Sequence, residues 1–260
     1  MPARARNPTY TLALVADEIS LEELGLATRN HGMPLEALRW DVTPLGLHYL
    51  LTHYDIPSVD PGSWTLEIGG HVNRPMTLTL DDLRTRPTVD SAVTMECAGN
   101  GRVHLEPHVV SQPWLLEAVG TAIWRGAPLA PLLGEAGIDE SAVEVLFTGL
   151  DRGVEGDVEQ AYERSLPVSE IIAGDALLAY EVNGVPLPPQ HGAPLRLVVP
   201  GWYGMTSVKW LSRITVLDRA FDGYQMRQSY RLRQEESEVG EPVSRIQVRA
   251  LTQTQGRPVD

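Results

Sequence analysis

Apolar and polar residues alternate over Trp64-Thr65-Leu66-Glu67-Ile68, the period-two pattern of a strand with one buried face. Glu144–Leu150 and Leu195–Val199 are apolar with little alternation, as in strands covered on both faces. Over Val208–Val216, Trp210, Ile214 and Val216 share one face while Lys209, Arg213 and Thr215 take the other, predicting a further strand. Asn183-Gly184 separates Leu177–Val182 from Val185-Pro186-Leu187 and tolerates the positive φ angles of a tight hairpin. Helical signals are short. Thr79-Leu80-Asp81-Asp82 opens like a capping box, and Leu129–Leu133 is closed by Gly134. The 20 Pro and 23 Gly are spread throughout and keep elements short. The expected class is α+β, a mixed β-sheet with few short helices.

No internal repeat or low-complexity linker divides the chain. The expected organisation is one catalytic domain over residues 1–240 and a polar tail, 241–260, in which only Ile246 and Val248 keep an apolar alternation. A net charge of −13 argues against nucleic acid, which calls for clustered Lys and Arg against phosphates. No run of about 18 apolar residues occurs, so no membrane span is expected. The basic start, Met1-Pro2-Ala3-Arg4-Ala5-Arg6, is not followed by an apolar stretch of signal-peptide length. A cytoplasmic protein is therefore expected, or a periplasmic one if a leader has been removed.

Cys97 is the single cysteine, which excludes a disulfide framework and a multi-thiolate zinc site. The C-x-x-C-H motif of an attached haem does not occur. Val93–Arg102 reads as a strand entering a tight loop whose Gly99, Asn100 and Gly101 let the backbone pass close to a bound group. Taken alone, Cys97 has three readings: a small buried hydrophobe, a nucleophile served by a histidine such as His31 or His191, or a soft-metal ligand. Arg102, five residues on, supplies charge that favours a thiolate. In the third reading most other metal ligands would come from a cofactor.

Met95-Glu96-Cys97-Ala98-Gly99-Asn100-Gly101-Arg102 resembles the molybdenum-binding loop of the sulfite oxidase family. Further segments follow that family's order. Thr28-Arg29-Asn30-His31 is similar to its F-x-R-N-H element, with Ala27 in place of the aromatic residue. Phe147-Thr148-Gly149-Leu150-Asp151 resembles the pterin-bonding segment, and His191-Gly192-Ala193-Pro194-Leu195-Arg196 its H-G-x-P-x-R element. Val199-Pro200-Gly201-Trp202-Tyr203-Gly204 and Ser207-Val208-Lys209-Trp210-Leu211 complete the series. Members often carry an arginine where Thr206 stands. The resemblance covers residues 25 to about 235.

It implies a sulfite-oxidase-type molybdopterin-binding fold, one molybdenum with one pyranopterin dithiolene, and no haem in this chain. Cys97 would ligate the metal. Arg29, Asn30, His31, Asp151, His191, Arg196, Ser207, Val208 and Lys209 would hold the cofactor. Arg29, Arg102, Trp114 and Tyr230 would form the pocket for a small oxyanion, sulfite. The implied reaction is oxygen-atom transfer, with electrons passing to an external acceptor such as a cytochrome. The alternative within the fold is a reductase of a sulfoxide or other oxo-substrate, and a rival of another class is a non-catalytic binding module. Residues 241–260 resemble the opening of a β-sandwich dimerisation domain, truncated or absent, which leaves dimer formation open.

Overall fold

The computed structural model describes residues 20–248 apart from 156, 234 and 236, together with 253–254 and 257–258. The basic start and the remainder of the tail lie outside the described residues. Helices are short: α1 (Leu21–Ala27), α2 (Leu80–Arg84), α3 (Leu129–Ala136), α4 (Val168–Ala173) and α5 (Tyr224–Arg227). The strands are β1 (Thr65–Gly70), β2 (Met76–Thr79), β3 (Val89–Glu96), β4 (Val119–Pro128), β5 (Glu144–Glu155), β6 (Val158–Pro167), β7 (Leu177–Val182), β8 (Val185–Pro186), β9 (Arg196–Val198) and β10 (Leu211–Leu217).

They form two five-stranded sheets. One runs β2-β1-β10-β5-β6, with β1 and β10 parallel and its other pairs antiparallel. The second runs β3-β4-β7-β8, with β9 also on β7, and is antiparallel throughout. The fold is thus α+β with a mixed sheet. The core falls into two clusters, and Leu178, Tyr180 and Leu197 of the second sheet join the first. Leu66, Ile68, Phe147, Leu211, Ile214 and Val216 anchor the first, and Val93, Ala122, Trp124, Ala179 and Val182 the second. The alternation of Trp64–Ile68 appears as predicted, with Trp64, Leu66 and Ile68 buried and Glu67 exposed.

Local signals produce several elements directly. Asn183 (φ 49°) and Gly184 (φ 78°) make the β7–β8 turn. Thr79 accepts the Asp82 N–H while Asp82 accepts the Thr79 N–H, closing the capping box of α2. Two boundaries differ from expectation. The strand predicted from Val208 starts at Leu211, because Trp210 takes a left-handed φ of 48° and breaks the register. The faces survive, since Trp210, Ile214 and Val216 are all buried. Helix α3 runs through Gly134 and stops at Gly137 (φ 71°), the glycine whose conformation ends it.

Residues 241–246 turn back along the body. Glu241–Pro242 pairs with Arg231–Leu232, Ser244 accepts the Tyr203 N–H, and the Ile246 N–H donates to Gly201.

Gly126 lies where β4 crosses β7 at a bulge; a Cβ there would sit 2.1 Å from the Leu178 carbonyl oxygen. Because backbone must yield, Gly126→Ala should cost about 1–3 kcal/mol. Denaturant melts should show a lower midpoint with the same slope.

Candidate active site

Cys97 follows the last residue of β3, and Asn100 pins the loop beyond it. The Asn100 amide accepts from the Ala118 N–H (3.1 Å) and donates to Glu96 Oε1 (3.0 Å) and the Leu116 carbonyl (3.4 Å). Gly99 lies directly against the Arg102 guanidinium, which a Cβ there, 2.4 Å away, would displace. Cys97 is 4% exposed and its sulfur accepts the Gly99 N–H at 3.4 Å. Burial pushes the thiol pKa up, against the pull of that N–H and the Arg102 charge. A protonated, buried thiol is a poor nucleophile, but it loses its proton when a soft metal takes its place.

Two cavities share Cys97 as a wall. The inner one is enclosed by the loop His48–His53, by Pro189–Arg196, by Gly204–Lys209 and by β5 and β6. Arg196, on β9, points its guanidinium into it, and among the described residues its partners are neutral: the carbonyls of His191 (3.1 Å), Ser207 (3.0 Å) and Leu197 (3.5 Å), and the Met95 sulfur (3.7 Å). It also lies 4.7 Å over the Trp124 ring. Burial lowers its pKa to about 10. Lys209 Nζ reaches the carbonyls of Leu51 (2.9 Å) and Gln190 (3.1 Å), and burial, with Arg196 nearby, brings it to about 7. Gly192 at φ 106° packs against the Lys209 stem, where a Cβ would come within 2.9 Å.

Asp151 sits in the β5 bulge that separates Thr148 from Arg152 in the pairing with β6. Its carboxylate lines the inner cavity with one oxygen buried and unpartnered, and burial lifts its pKa to about 6. Gly149 makes this placement possible, since a Cβ there would meet that carboxylate at 2.4 Å. His48 Nδ1 is bonded to the Tyr49 carbonyl (3.0 Å), which leaves Nε2 buried and unpartnered. His191 stands edge-on to His48, with ring centroids 5.8 Å apart. Burial is the main cause that lowers His48 to about 4 and His191 to about 3.

Unneutralised cations, orphaned donors and acceptors and a buried thiol fit one kind of guest. It would be a polar heterocycle with an anionic group and a thiophilic metal. Among the described residues no cluster of three or more His, Cys, Asp and Glu could hold a metal unaided, so the remaining ligands would come from that guest.

The outer cavity opens on the other side of Cys97 and is lined by Arg102, Tyr230, Leu51, His53 and Arg231, among others. Arg102 donates to Ser111 Oγ (2.8 Å) and the Gln112 carbonyl (3.3 Å). Tyr230, held at φ 53°, is hydrogen-bonded through its hydroxyl to His53 Nε2. Trp114 is buried behind Cys97 with its indole nitrogen unpartnered. Ser207 lines the inner cavity, its hydroxyl accepting the Val199 N–H (3.1 Å). Val208 packs into the core of the first sheet and lines neither cavity.

The upstream segment is placed otherwise than expected. Arg29 and His31 are exposed and line neither cavity, because residues 29–31 form a surface turn after α1 that bridges to Leu50. Asn30 is buried but fully engaged, bonding the Leu26 carbonyl, Gln112 and the Thr52 N–H. The spacing of an aromatic followed by histidine four residues on recurs at Tyr49-Leu50-Leu51-Thr52-His53, and these residues do reach the cavities. Leu51 then stands at the arginine position and Thr52 at the asparagine position. His53 was missed by sequence reading, although Tyr49 in the aromatic place was a readable signal; His48 offered none.

The family described as oxidoreductase molybdopterin binding domain matches residues 53–225, beginning at His53. The chain is 36% identical over 197 residues to human mitochondrial sulfite oxidase, covering 73% of this chain and 36% of the relative. It is 38% identical over 193 residues to NADH nitrate reductase 2 of Nicotiana tabacum, covering 70% and 21%. The solved sulfane dehydrogenase SoxCD of Paracoccus pantotrophus superposes with a TM-score of 0.68 at 28% identity, over 77% of this chain and 50% of that one. The chain thus spans well under half the length of these two sequence relatives.

The cavity also sets an acid limit. The unfolded chain protonates His48, His53 and His191 near pH 6.5, whereas the fold keeps them neutral down to about 4, 3 and 3. Stability of the cofactor-free protein should therefore fall as pH drops from 6.5 through about 4. Asp151, raised to about 6, works oppositely and offsets part of the loss. Urea midpoints across this range check the slope, which His191→Gln should reduce.

Proposed function

The chain belongs to the oxidoreductase molybdopterin-binding domain family, and on that premise we propose that it oxidises a small sulfur oxyanion, sulfite first, by oxygen-atom transfer. The observation that carries the reading is Arg102. Its guanidinium packs against Gly99, faces the outer cavity beside Cys97 and has only neutral hydrogen-bond partners. An oxyanion is the guest such a cation is free to take.

In the inner cavity Arg196 and Lys209 would hold the phosphate of the pterin, the first through a planar fork and the second as a point charge. His48, Asp151 and His191 would meet its ring donors and acceptors, and Cys97 would be the protein's ligand to molybdenum. When bound, the group supplies two-electron redox chemistry and oxygen-atom transfer. The chain's own contribution is placement and charge. Arg102 draws the anion to the Cys97 side, the Tyr230–His53 pair offers a hydrogen-bonding wall between the cavities, and Leu51 and Leu116 keep the junction apolar. Electrons would leave singly to an external acceptor, and a net charge of −13 suits a basic cytochrome.

Leu51 favours a second reading. It replaces a charge with an apolar side chain, and the cleft beyond it holds about 850 Å³, with Leu26, Leu105, Val110 and Leu232 on its walls. That space suits a sulfur substrate larger than sulfite, in line with the sulfane dehydrogenase of similar fold.

Enzyme loaded with molybdenum cofactor should turn over sulfite with ferricyanide faster than thiosulfate with ferricyanide. It should likewise outpace nitrate or methionine sulfoxide with reduced viologen. Faster thiosulfate turnover would select the second reading. Cys97→Ser should lower sulfite oxidation at least about 100-fold, the order seen when one group central to the chemistry is lost. Its melting temperature and pterin content should stay near the parent values, and full activity in that variant would overturn the assignment.

A further inference from the structure

Arg164, on β6 opposite Phe147, is 2% exposed and belongs to no segment of the resemblance. One guanidinium nitrogen donates to the Gln225 carbonyl at the start of α5, and Nε is buried without a partner. The guanidinium carbon lies 5.3 Å from the centre of the Tyr230 ring. Tyr230 holds a left-handed φ of 53°, a costly conformation for an aromatic residue, and its hydroxyl is bonded to His53. Burying an arginine against a carbonyl and an aromatic face, with no carboxylate bonded to it, is expensive. A neutral side chain could make the same tie to Gln225.

We propose that Arg164 is a positioning residue for the substrate: it clamps Tyr230 against His53 and lends the back of the outer cavity the positive charge that Leu51 withholds. The surrounding electrostatics agree. Burial is the main cause that depresses the His53 pKa to about 3, and the charges of Lys209, Arg102 and Arg164 add to it. Three cations therefore converge on one imidazole that lines both cavities. An anion beside His53 would feel all three, and the aromatic clamp keeps the phenol facing it.

This inference rests on the oxyanion reading, and the experiment separates the two. R164Q keeps a donor for the Gln225 carbonyl but removes the charge, and R164K restores charge without the planar fork. Both are prepared as holoenzyme and compared with the parent at matched molybdenum content and melting temperature. KM and kcat for sulfite are measured with ferricyanide, and the Kd for sulfate, an unreactive oxyanion, by calorimetry. R164Q should raise KM and the sulfate Kd at least tenfold while kcat falls less than threefold, and R164K should recover most of both. A KM and Kd within twofold of the parent in R164Q, or an R164K no better than R164Q, would overturn the role. Should R164Q fail to accumulate as folded holoenzyme, R164K decides: a sulfate Kd within threefold of the parent supports the role, and a tenfold loss overturns it. A parent enzyme that neither oxidises sulfite nor binds sulfate overturns the oxyanion reading together with this inference.

Discussion

Two basic groups without bonded carboxylates among the described residues, buried Arg196 and half-buried Lys209, are the constraint on which the site depends. Desolvating a guanidinium and an ammonium costs several kcal/mol each, and a carboxylate partner would ordinarily offset that. Here the offset comes from backbone carbonyls of Leu51, His191, Gln190 and Ser207, and from the faces of Trp124 and Trp210. Carbonyl dipoles soften a charge without cancelling it, so the cavity keeps a net attraction for an anion. Asp151, the carboxylate that lines it, is itself pushed toward the neutral form by burial. The positive field is therefore built from the fold's own side chains and carbonyl dipoles.

Those carbonyls explain why the loops run as they do. Gln190 and His191 share the turn Pro189–His191, while Leu51 and Ser207 come from two other segments. Arg196 is registered against Ala179 of β7, and Asp151 is thrown inward by the β5 bulge. Cys97 emerges where β3 ends, its N–H still paired with Ala118 as though the strand continued. The glycines at 99, 149 and 192 mark where backbone and charged side chains come too close for a Cβ. The site is thus polar by construction, beside an apolar core that the two sheets share through Leu178, Tyr180 and Leu197.

Much of this was legible along the chain. The Cys97 loop and His191–Arg196 combine glycines with rare chemistry at fixed spacing, and they fold where that spacing says. The hairpin at Asn183-Gly184 and the cap at Thr79 were readable because their signals lie within four residues. What failed was non-local. Arg29-Asn30-His31 matches a motif letter for letter, yet Asn30 is consumed by bonds to Gln112 and Thr52, and its neighbours face solvent. The segment that reaches the cavities, Tyr49–His53, keeps the aromatic and the histidine but has lost the charged residue that draws the eye. Trp210 could not be excluded from β10 by periodicity, since its buried side chain obeys the alternation while its φ does not. Arg164 carries no motif along the chain, and only its packing on Tyr230 draws attention to it.

These exceptions touch both sides of Cys97, since Tyr49, Leu51 and His53 line the inner cavity as well. That cavity gathers Asp151, His191, Arg196, Ser207 and Lys209 together with His48, which no motif announced. The outer one departs from the sequence expectation at Leu51 and gains Arg164 behind Tyr230. On the proposed reading the two cavities would meet different constraints. A pterin with its phosphate presents the same donors, acceptors and charge in every enzyme that uses it, so the residues facing it have little freedom. A substrate wall has only to balance charge against shape, and the balance can be struck from different strands. On the proposed reading, Arg164 on β6 would keep positive charge behind Tyr230 where Leu51 supplies none. The inner cavity would then hold the cofactor, and the arginines around the outer one would bias which anion enters.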